Sequence, residues 1–167
     1  IVTLTMPQEG NRETCFNYWK GCPLIQILKE NIPFNQGLVR IVHRTLGILK
    51  EGKIEKEINQ VCVENWPDGN IISIDILYAL IHLVDSLKGG KFIHCSAGLG
   101  RSGVFIIAYH ALKYMQYDNI NENILRCRIQ RRGMVQTSEQ HRYLVNEVSK
   151  LIANLKRESL PQPVNIT

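Results

Sequence analysis

The sequence predicts an α/β layered domain with strands in its first half and helices in its second. Three observations support this prediction: alternating apolar residues early in the chain, apolar residues at helical spacing later, and one strand–loop–helix unit between them. The chain has 167 residues, of which 44% are hydrophobic and 21% charged. This composition is ordinary for one globular domain with a substantial core, and it excludes wholesale disorder.

Four segments of the first half have the alternation of β-branched and apolar residues that is typical of strands. They are Ile1 to Thr5, Leu24 to Leu28, Gly37 to Leu46 and Lys53 to Val63. The stretches from Met6 to Asn11 and from Asn65 to Asn70 contain Pro, Gly and Asn, which predicts loops.

The second half is predicted to be mostly helical. One helix carries apolar residues from Leu77 to Leu87, with Ser73 as its N-cap and Gly89-Gly90 beyond its end. A short strand, Lys91 to His94, precedes a small-residue loop. Helices are then predicted over Ser102 to Met115, over Glu122 to Arg132, and after the capping box Thr137-Ser138-Glu139-Gln140. We expect residues 1–160 to form the domain and residues 161–167 to form a flexible tail.

Charge and cysteine usage narrow the classes of function. The net charge of +5 favours anionic partners such as phosphates, acidic peptides or nucleic acid. The longest apolar run, Val104 to Tyr109, is too short to cross a membrane.

The five cysteines are scattered without a Cys-x-x-Cys pair, which argues against a zinc site and favours reduced thiols in the cytoplasm. Because the chain starts at Ile1 without a methionine and without a signal segment, we expect it to be the later part of a longer polypeptide.

The string from His94 to Gly103 has the arrangement that anion chemistry requires. A strand ends at Cys95, a turn of mostly small residues follows, and a helix begins near Arg101. The amides of such a turn and the helix N-terminus form a nest for a tetrahedral anion, and Arg101 adds a two-pronged donor. The same donors lower a cysteine pKa from ~8.5 to roughly 3.5–7.5, and Ser102 is placed to donate to the sulfur. The alternative is a small buried cysteine in a glycine-rich turn, which the Cys-x5-Arg spacing disfavours.

This string resembles the signature of the protein tyrosine phosphatase family. Trp66-Pro67-Asp68 resembles the family's acid loop, and the segment from Gly133 to Gln140 resembles its glutamine loop. A third segment also resembles the family pattern. In it Glu9 stands six residues before Cys15, and Tyr18-Trp19 follows. The resemblance extends to about Leu155 and favours the tyrosine-specific branch. It implies a central twisted mixed β-sheet flanked by helices, with a strand–phosphate loop–helix unit.

The resemblance also implies roles for individual residues in the hydrolysis of phosphotyrosine. Cys95 is the nucleophile that forms a phosphocysteine, and Asp68 is the general acid and then the base. The transferred phosphoryl group is bound by the phosphate loop: Ser96, Ala97, Gly98, Leu99, Gly100, Arg101 and Ser102. Gln136 places the attacking water, and Gln140 is either its helper or only the capping-box partner. The supporting residues are His94, Glu9 and Trp66, and neither a metal nor a cofactor is implied.

The sequence departs from the family pattern at two places. A further N-terminal part with a tyrosine-bearing substrate loop is absent, and Asp68 is followed by Gly69-Asn70-Ile71 as if one residue and a proline were lost. A phosphotyrosine-binding module with impaired turnover and an incomplete fragment of a larger phosphatase therefore stay open. The expected partners are phosphotyrosine proteins or peptides rather than nucleic acid, and the oligomeric state is not fixed.

Four arginines lie close together in one predicted helix: Arg126, Arg128, Arg131 and Arg132. A solvated helix face with salt bridges is one interpretation. The other is a surface that attracts acidic phosphopeptides or holds a second anion.

Overall fold

A computed structural model describes residues 1–115 and 119–159, and it contains a mixed five-stranded sheet flanked by helices. The strands are β1 (Val2–Thr3), β2 (Gln8–Glu9), β3 (Arg12–Glu13), β4 (Ile25–Gln36), β5 (Val39–Lys50), β6 (Lys53–Glu64) and β7 (Ile93–His94). The order in the large sheet is β4-β5-β6-β1-β7, while β2 and β3 form a separate hairpin. The predicted α/β class is confirmed. The predicted tail, residues 161–167, lies outside the described residues.

The strands β4, β5 and β6 form a long antiparallel meander that accounts for three of the predicted strands. Each is 12 residues long, and β4 continues eight residues beyond the predicted end at Leu28. The extension crosses Pro33, which is tolerated because β4 is an edge strand. The pairing between β4 and β5 shifts register on either side of the run from Lys29 to Asn31, and such irregularities discourage the pairing of this edge with another chain.

The short strand β1 lies in the middle of the sheet and aligns the elements that carry the site. It pairs in parallel with β6, through Val2 and Val61, and with β7, through Thr3 and His94. The predicted strand from Ile1 to Thr5 is thus confirmed in part, since only two of its residues have strand geometry. Because β6 leads into the acid loop and β7 leads into Cys95, this pairing brings both segments to one edge of the sheet.

The helices cover the sheet and supply most of the core. They are α1 (Tyr18–Gly21), α2 (Ile74–Ser86), α3 (Gly100–Lys113), α4 (Ile120–Gln130), α5 (Ser138–Tyr143) and α6 (Ser149–Ser159), with a π-helical turn at Leu144–Val148 joining the last two. The Ser73 hydroxyl accepts from the Ile76 amide, which confirms the predicted N-cap of α2. The capping box of Thr137 and Gln140 is confirmed at the start of α5.

Two elements near the start of the chain were not expected. The predicted loop from Met6 to Asn11 is wrong at Gln8 and Glu9, which form β2 and pair with β3. The turn residues are Gly10 and Asn11, and Gly10 adopts a φ of 60° that glycine accommodates without steric cost. A two-residue Gly-Asn connection is a hairpin signal. The short helix α1 follows and buries Trp19.

Candidate active site

The phosphate loop joins β7 to α3 and depends on glycines that allow close approach. Gly98 has a φ of +71°, in the left-handed region that favours glycine. A Cβ on Gly100 would lie 2.6 Å from Oε1 of Gln136, and a Cβ on Gly103 would lie 2.7 Å from the backbone nitrogen of Val135. The glycines therefore allow the glutamine loop to pack directly against the start of α3.

Cys95 lies in this loop as a buried thiol with 4% of its surface exposed. Burial alone would raise its pKa, but the nearby Ser102 hydroxyl and the backbone amides of Ser102, Leu99 and Gly98 stabilise the thiolate and outweigh that effect. The pKa of Cys95 is consequently lowered from its ordinary value. Donors that stabilise a thiolate at this position are also suited to bind the oxygens of an anion attached to the sulfur.

Arg101 is fully buried and has one side of its guanidinium without a hydrogen-bond partner. Its Nη1 donates to Oε1 of Glu9 and, at 2.7 Å, to the backbone carbonyl of Trp66. Its Nε and Nη2 make no hydrogen bond to the described residues. A buried guanidinium edge whose two donors form no hydrogen bond fits two oxygens of a phosphate group.

Asp68 lies beside this open edge. Its Oδ1 is 3.1 Å from Nη2 of Arg101, and its Oδ2 is 3.9 Å from Nη1 of Arg12 on β3. The Asp68 side chain is about half exposed, at 47%. The preceding Trp66 is buried, and its indole nitrogen donates to the Asn70 carbonyl at 3.0 Å. The short acid loop thus places a solvent-accessible carboxylate next to the guanidinium.

The glutamine loop is attached to the acid loop by two hydrogen bonds. The Thr137 hydroxyl donates to the Gly69 carbonyl at 3.0 Å, and Nε2 of Gln140 donates to the Asn70 carbonyl at 3.4 Å. Oε1 of Gln140 accepts from the backbone amides of Gln136 and Thr137, so its carboxamide joins the two loops. Gln136 is exposed, and its Oε1 lies close to Gly100.

The glutamine loop also contains a strained backbone position. Val135 has a φ of 61°, which is an outlier for a β-branched residue and costs of order 1–3 kcal/mol. Arg128 holds this backbone, because its Nε donates to the Met134 carbonyl and its Nη2 to the Val135 carbonyl, both at 2.9 Å. The Val135 amide donates to the Leu99 carbonyl at 3.2 Å, which links the strained residue to the phosphate loop.

His94 is part of a polar network behind the phosphate loop. Its Nδ1 lies 3.1 Å from the Cys95 carbonyl, while its Nε2 lies 3.1 Å from the Tyr18 hydroxyl and 3.2 Å from Oγ1 of Thr3. Nε2 of Gln60 donates to the same two hydroxyls. Sequence reasoning gave no role to Thr3 or Gln60, since nothing local distinguishes them from other strand residues.

The predicted site residues fall into one region of the structure. Glu9, Trp66 and Asp68 contact Arg101, and Gln136 and Gln140 lie against Gly100. The described residues contain no group of three or more His, Cys, Asp or Glu side chains that could hold a metal ion. All five cysteines are free thiols. In the part of the chain that the structure describes, no helix has both the length and the apolar character needed to cross a bilayer.

The arrangement combines a nucleophile, an anion nest and a candidate acid. The stabilised thiol of Cys95 can attack an electrophilic phosphorus, the loop amides and Arg101 can hold the surrounding oxygens, and Asp68 can exchange a proton with a leaving group.

Comparison with known proteins identifies the family of the chain. A profile of the protein-tyrosine phosphatase family matches residues 1–150. Tyrosine-protein phosphatase non-receptor type 20 of Rattus norvegicus is 31% identical over 93% of this chain and 39% of the relative. Receptor-type tyrosine-protein phosphatase F of Homo sapiens is 30% identical over 86% of this chain and 8% of the relative.

Solved structures show the same fold. The catalytic domain of human protein tyrosine phosphatase non-receptor type 18 matches with a TM-score of 0.77 and 25% identity, over 90% of this chain and 59% of that one. A complex of PTPN18 with HER2-pY1248 phosphopeptides matches with a TM-score of 0.76 and 25% identity, over 90% of this chain and 61% of the other. The chain spans at most about three fifths of the length of these relatives. Because the family profile matches residues 1–150, the chain belongs to the protein-tyrosine phosphatase family.

Proposed function

We propose that this chain hydrolyses phosphotyrosine in proteins or peptides through a phosphocysteine at Cys95. The proposal depends on two observations: Cys95 has a lowered pKa, and the Nε and Nη2 atoms on one edge of the buried Arg101 guanidinium form no hydrogen bond to the described residues. These groups supply a nucleophile and a receptor for the equatorial oxygens of a transferred phosphoryl group. The phosphopeptide complex of the structural relative PTPN18 supports phosphotyrosine peptides as the substrate class.

In the first step the Cys95 thiolate attacks phosphorus, and the bond from phosphorus to the tyrosine oxygen breaks. The leaving phenolate has a parent pKa near ~10, so it takes a proton from Asp68 as it departs. The loop amides and the Nε and Nη2 donors of Arg101 hold the charge on the phosphoryl oxygens. Asp68 lies near Nη2 before any anion binds, so the incoming phosphate shares or displaces that contact.

In the second step water attacks the phosphocysteine and releases inorganic phosphate. Asp68, now ionised, accepts the proton of that water. The exposed Gln136 side chain lies above Gly100 and positions the water. We assign Gln140 to the joint between the acid and glutamine loops, since its carboxamide oxygen is already engaged by two backbone amides.

The supporting residues act through Arg101 and the loop backbone. Glu9 and the Trp66 carbonyl orient the guanidinium, and His94 contacts the Cys95 carbonyl. We propose that residues 1–160 form the catalytic unit.

We also propose a cytoplasmic location, because the scattered free cysteines favour a reducing compartment.

The test is phosphate release from a phosphotyrosine peptide by the chain and by its Cys95→Ser variant, with circular dichroism to show that both are folded. Release that disappears in the variant supports the proposal. Release that persists in the variant, or its absence from a folded chain, contradicts it.

A second candidate is a phosphotyrosine-binding module with impaired turnover. It is favoured by the shortened acid loop, in which Asp68 is already paired with Arg101 and the loop is bonded to Thr137 and Gln140. A folded chain that binds the phosphopeptide without releasing phosphate would assign this function instead.

A further inference from the structure

A chain of hydrogen bonds runs from a buried arginine of β5 to the backbone of Cys95. The arginine is Arg44, which is 4% exposed and pairs with Glu30 of β4 and Glu64 of β6. Its Nη1 also donates at 3.4 Å to Oε1 of Gln60, a fully buried residue of β6. Since a guanidinium has donors only, the Gln60 atom that faces it must be the oxygen. Arg44 therefore fixes the orientation of the Gln60 carboxamide.

The amide nitrogen of Gln60 consequently faces two hydroxyl groups. Its Nε2 donates to the Tyr18 hydroxyl at 3.0 Å and to Oγ1 of Thr3 at 3.2 Å. The two hydroxyl oxygens are 2.8 Å apart, and they lie 3.1 Å and 3.2 Å from Nε2 of His94. Each hydroxyl therefore accepts an N–H from Gln60 and has its own proton left to donate.

One placement of the His94 proton satisfies this group of side chains. If Nε2 carries no proton, one hydroxyl donates to the other and the second donates to Nε2. If Nε2 carried a proton, it would donate to a hydroxyl, and one hydroxyl proton would have no acceptor in the described network. A buried donor left without a partner is costly. The proton of a neutral His94 therefore belongs on Nδ1, which lies 3.1 Å from the Cys95 carbonyl.

Two neighbouring thiols offer no alternative acceptor for the hydroxyl protons. Cys15 and Cys62 both act electrostatically on the Tyr18 hydroxyl. Cys15 donates to the Met6 carbonyl at 3.8 Å, and Cys62 donates to the Thr5 carbonyl at 3.9 Å. Burial raises the pKa of the Cys15 thiol and raises the pKa of Cys62 to about 12. Neither residue therefore supplies a thiolate near neutral pH.

We propose that Gln60 is a positioning residue that keeps the His94 proton on Nδ1. It does so by presenting donors, rather than an acceptor, to the two hydroxyls in front of His94. The Nδ1 proton then holds the Cys95 carbonyl, and with it the backbone from which the phosphate loop starts. The inference rests on the proposed function, because it assigns a part in the reaction of Cys95, but the position of the proton can be measured without any reaction.

The test is the tautomer of His94, read from the nitrogen-15 chemical shifts of its ring at about pH 7.5, where an ordinary imidazole is mostly neutral. A His94→Asn variant identifies the His94 signals among those of the five histidines. In the wild-type chain, Nδ1 is expected to carry the proton. Gln60→Glu keeps the size of the side chain but replaces the donor by an acceptor. In this variant one hydroxyl donates to the carboxylate, and Nε2 gains a proton.

Two further variants are matched controls, with circular dichroism to show that each is folded. Gln60→Met removes the amide without offering a comparable acceptor. Asn59→Asp makes the same amide-to-carboxylate change one residue earlier, where the side chain contacts His43. Both are expected to keep the His94 proton on Nδ1. A proton on Nε2 in the wild-type chain or in either control overturns the inference, as does an unprotonated Nε2 in folded Gln60→Glu.

The second readout is kcat on a phosphotyrosine peptide. Loss of the hydrogen bond from Nδ1 to the Cys95 carbonyl should lower kcat in Gln60→Glu about two- to tenfold relative to Gln60→Met. Equal values in the two variants, with the proton moved in the first, would overturn the positioning role. A folded wild-type chain that releases no phosphate would overturn the proposed function and any part in it, while the proton on Nδ1 would still be established by the spectrum.

Discussion

Replacing Gly103 by alanine tests the close approach of the glutamine-loop backbone to α3. A Cβ at this position would lie 2.7 Å from the backbone nitrogen of Val135 and 3.2 Å from its Cγ2. Backbone atoms cannot move aside as a flexible side chain can, so α3 and the glutamine loop must separate. The separation also lengthens the hydrogen bond from the Val135 amide to the Leu99 carbonyl, which is 3.2 Å long.

The magnitude follows from three contributions to the free energy of unfolding. Overpacking of a close contact costs about 1–3 kcal/mol. Loss of one intramolecular hydrogen bond costs about 1 kcal/mol, and the better helix propensity of alanine offsets about 1 kcal/mol. The net loss of about 1–3 kcal/mol is a substantial part of the roughly 5–15 kcal/mol that stabilises a typical domain.

The assay is equilibrium unfolding in urea, with phosphate release measured on the same samples. Gly90→Ala is the control, because a Cβ at Gly90 meets nothing within 4 Å and its φ is not in the left-handed region. This control is expected to keep its stability or to gain about 0.4–1 kcal/mol. Unfolding free energies of Gly103→Ala and wild type that agree within about 0.5 kcal/mol would refute the close contact.

Three further substitutions test separate parts of the site. Asp68→Asn should lower kcat on a phosphotyrosine peptide by about 10²–10⁴-fold in steady-state assays. The same variant should bind inorganic phosphate at least as tightly, since Nη2 of Arg101 is freed. An equal loss of kcat on an aryl phosphate whose leaving group needs no proton would contradict the acid role. Ser102→Ala removes a donor to the thiolate, so the pKa of Cys95 should rise and the pH profile of its alkylation by iodoacetamide should move to higher pH; an unmoved profile would contradict the contact. Arg128→Lys keeps the charge but loses the planar fork that reaches two carbonyls, which should cost about 1–2 kcal/mol in urea unfolding, whereas unchanged stability would show that the strained turn needs no such support.

The phosphate loop could be predicted from sequence because its determinants are contiguous. The run from His94 to Gly103 contains the strand end, the tight turn and the helix start, and each depends on neighbouring residue types. The helix N-caps at Ser73 and Thr137 also depend only on residues a few positions away, and the structure confirms both.

The lengths of the strands and the polar network could not be predicted, because both depend on residues distant in the chain. The second half of β4 contains Pro33 and the polar residues Asn31, Asn35 and Gln36, and only its pairing with β5 makes it a strand. Glu9 could be placed at Arg101 only through the family resemblance, across 92 residues of sequence. Gln60 joins the network of His94 by the register of β1 and β6, which local patterns do not specify.

The hairpin of β2 and β3 differs from the long strands and the polar network, because the sequence contains a local signal for its turn. The Gly10-Asn11 pair is a two-residue hairpin connection, but its flanking strands are short and polar, so no hydrophobic alternation accompanied it. The hairpin contacts the rest of the site through Glu9, which pairs with Arg101, and through Arg12, which lies near Asp68, and neither contact follows from the local sequence pattern.

The central position of β1 has a consequence for how the chain acquires its structure. Val2 and Thr3 pair with residues of β6 and β7 that are synthesised long after them. The meander of β4, β5 and β6 contains only contacts between successive strands and can form early. Docking of β1 requires closing two long loops, which is slow compared with hairpin formation. We therefore expect a nascent chain to hold a preformed meander while the phosphate and acid loops remain apart, and to align them only when β1 docks.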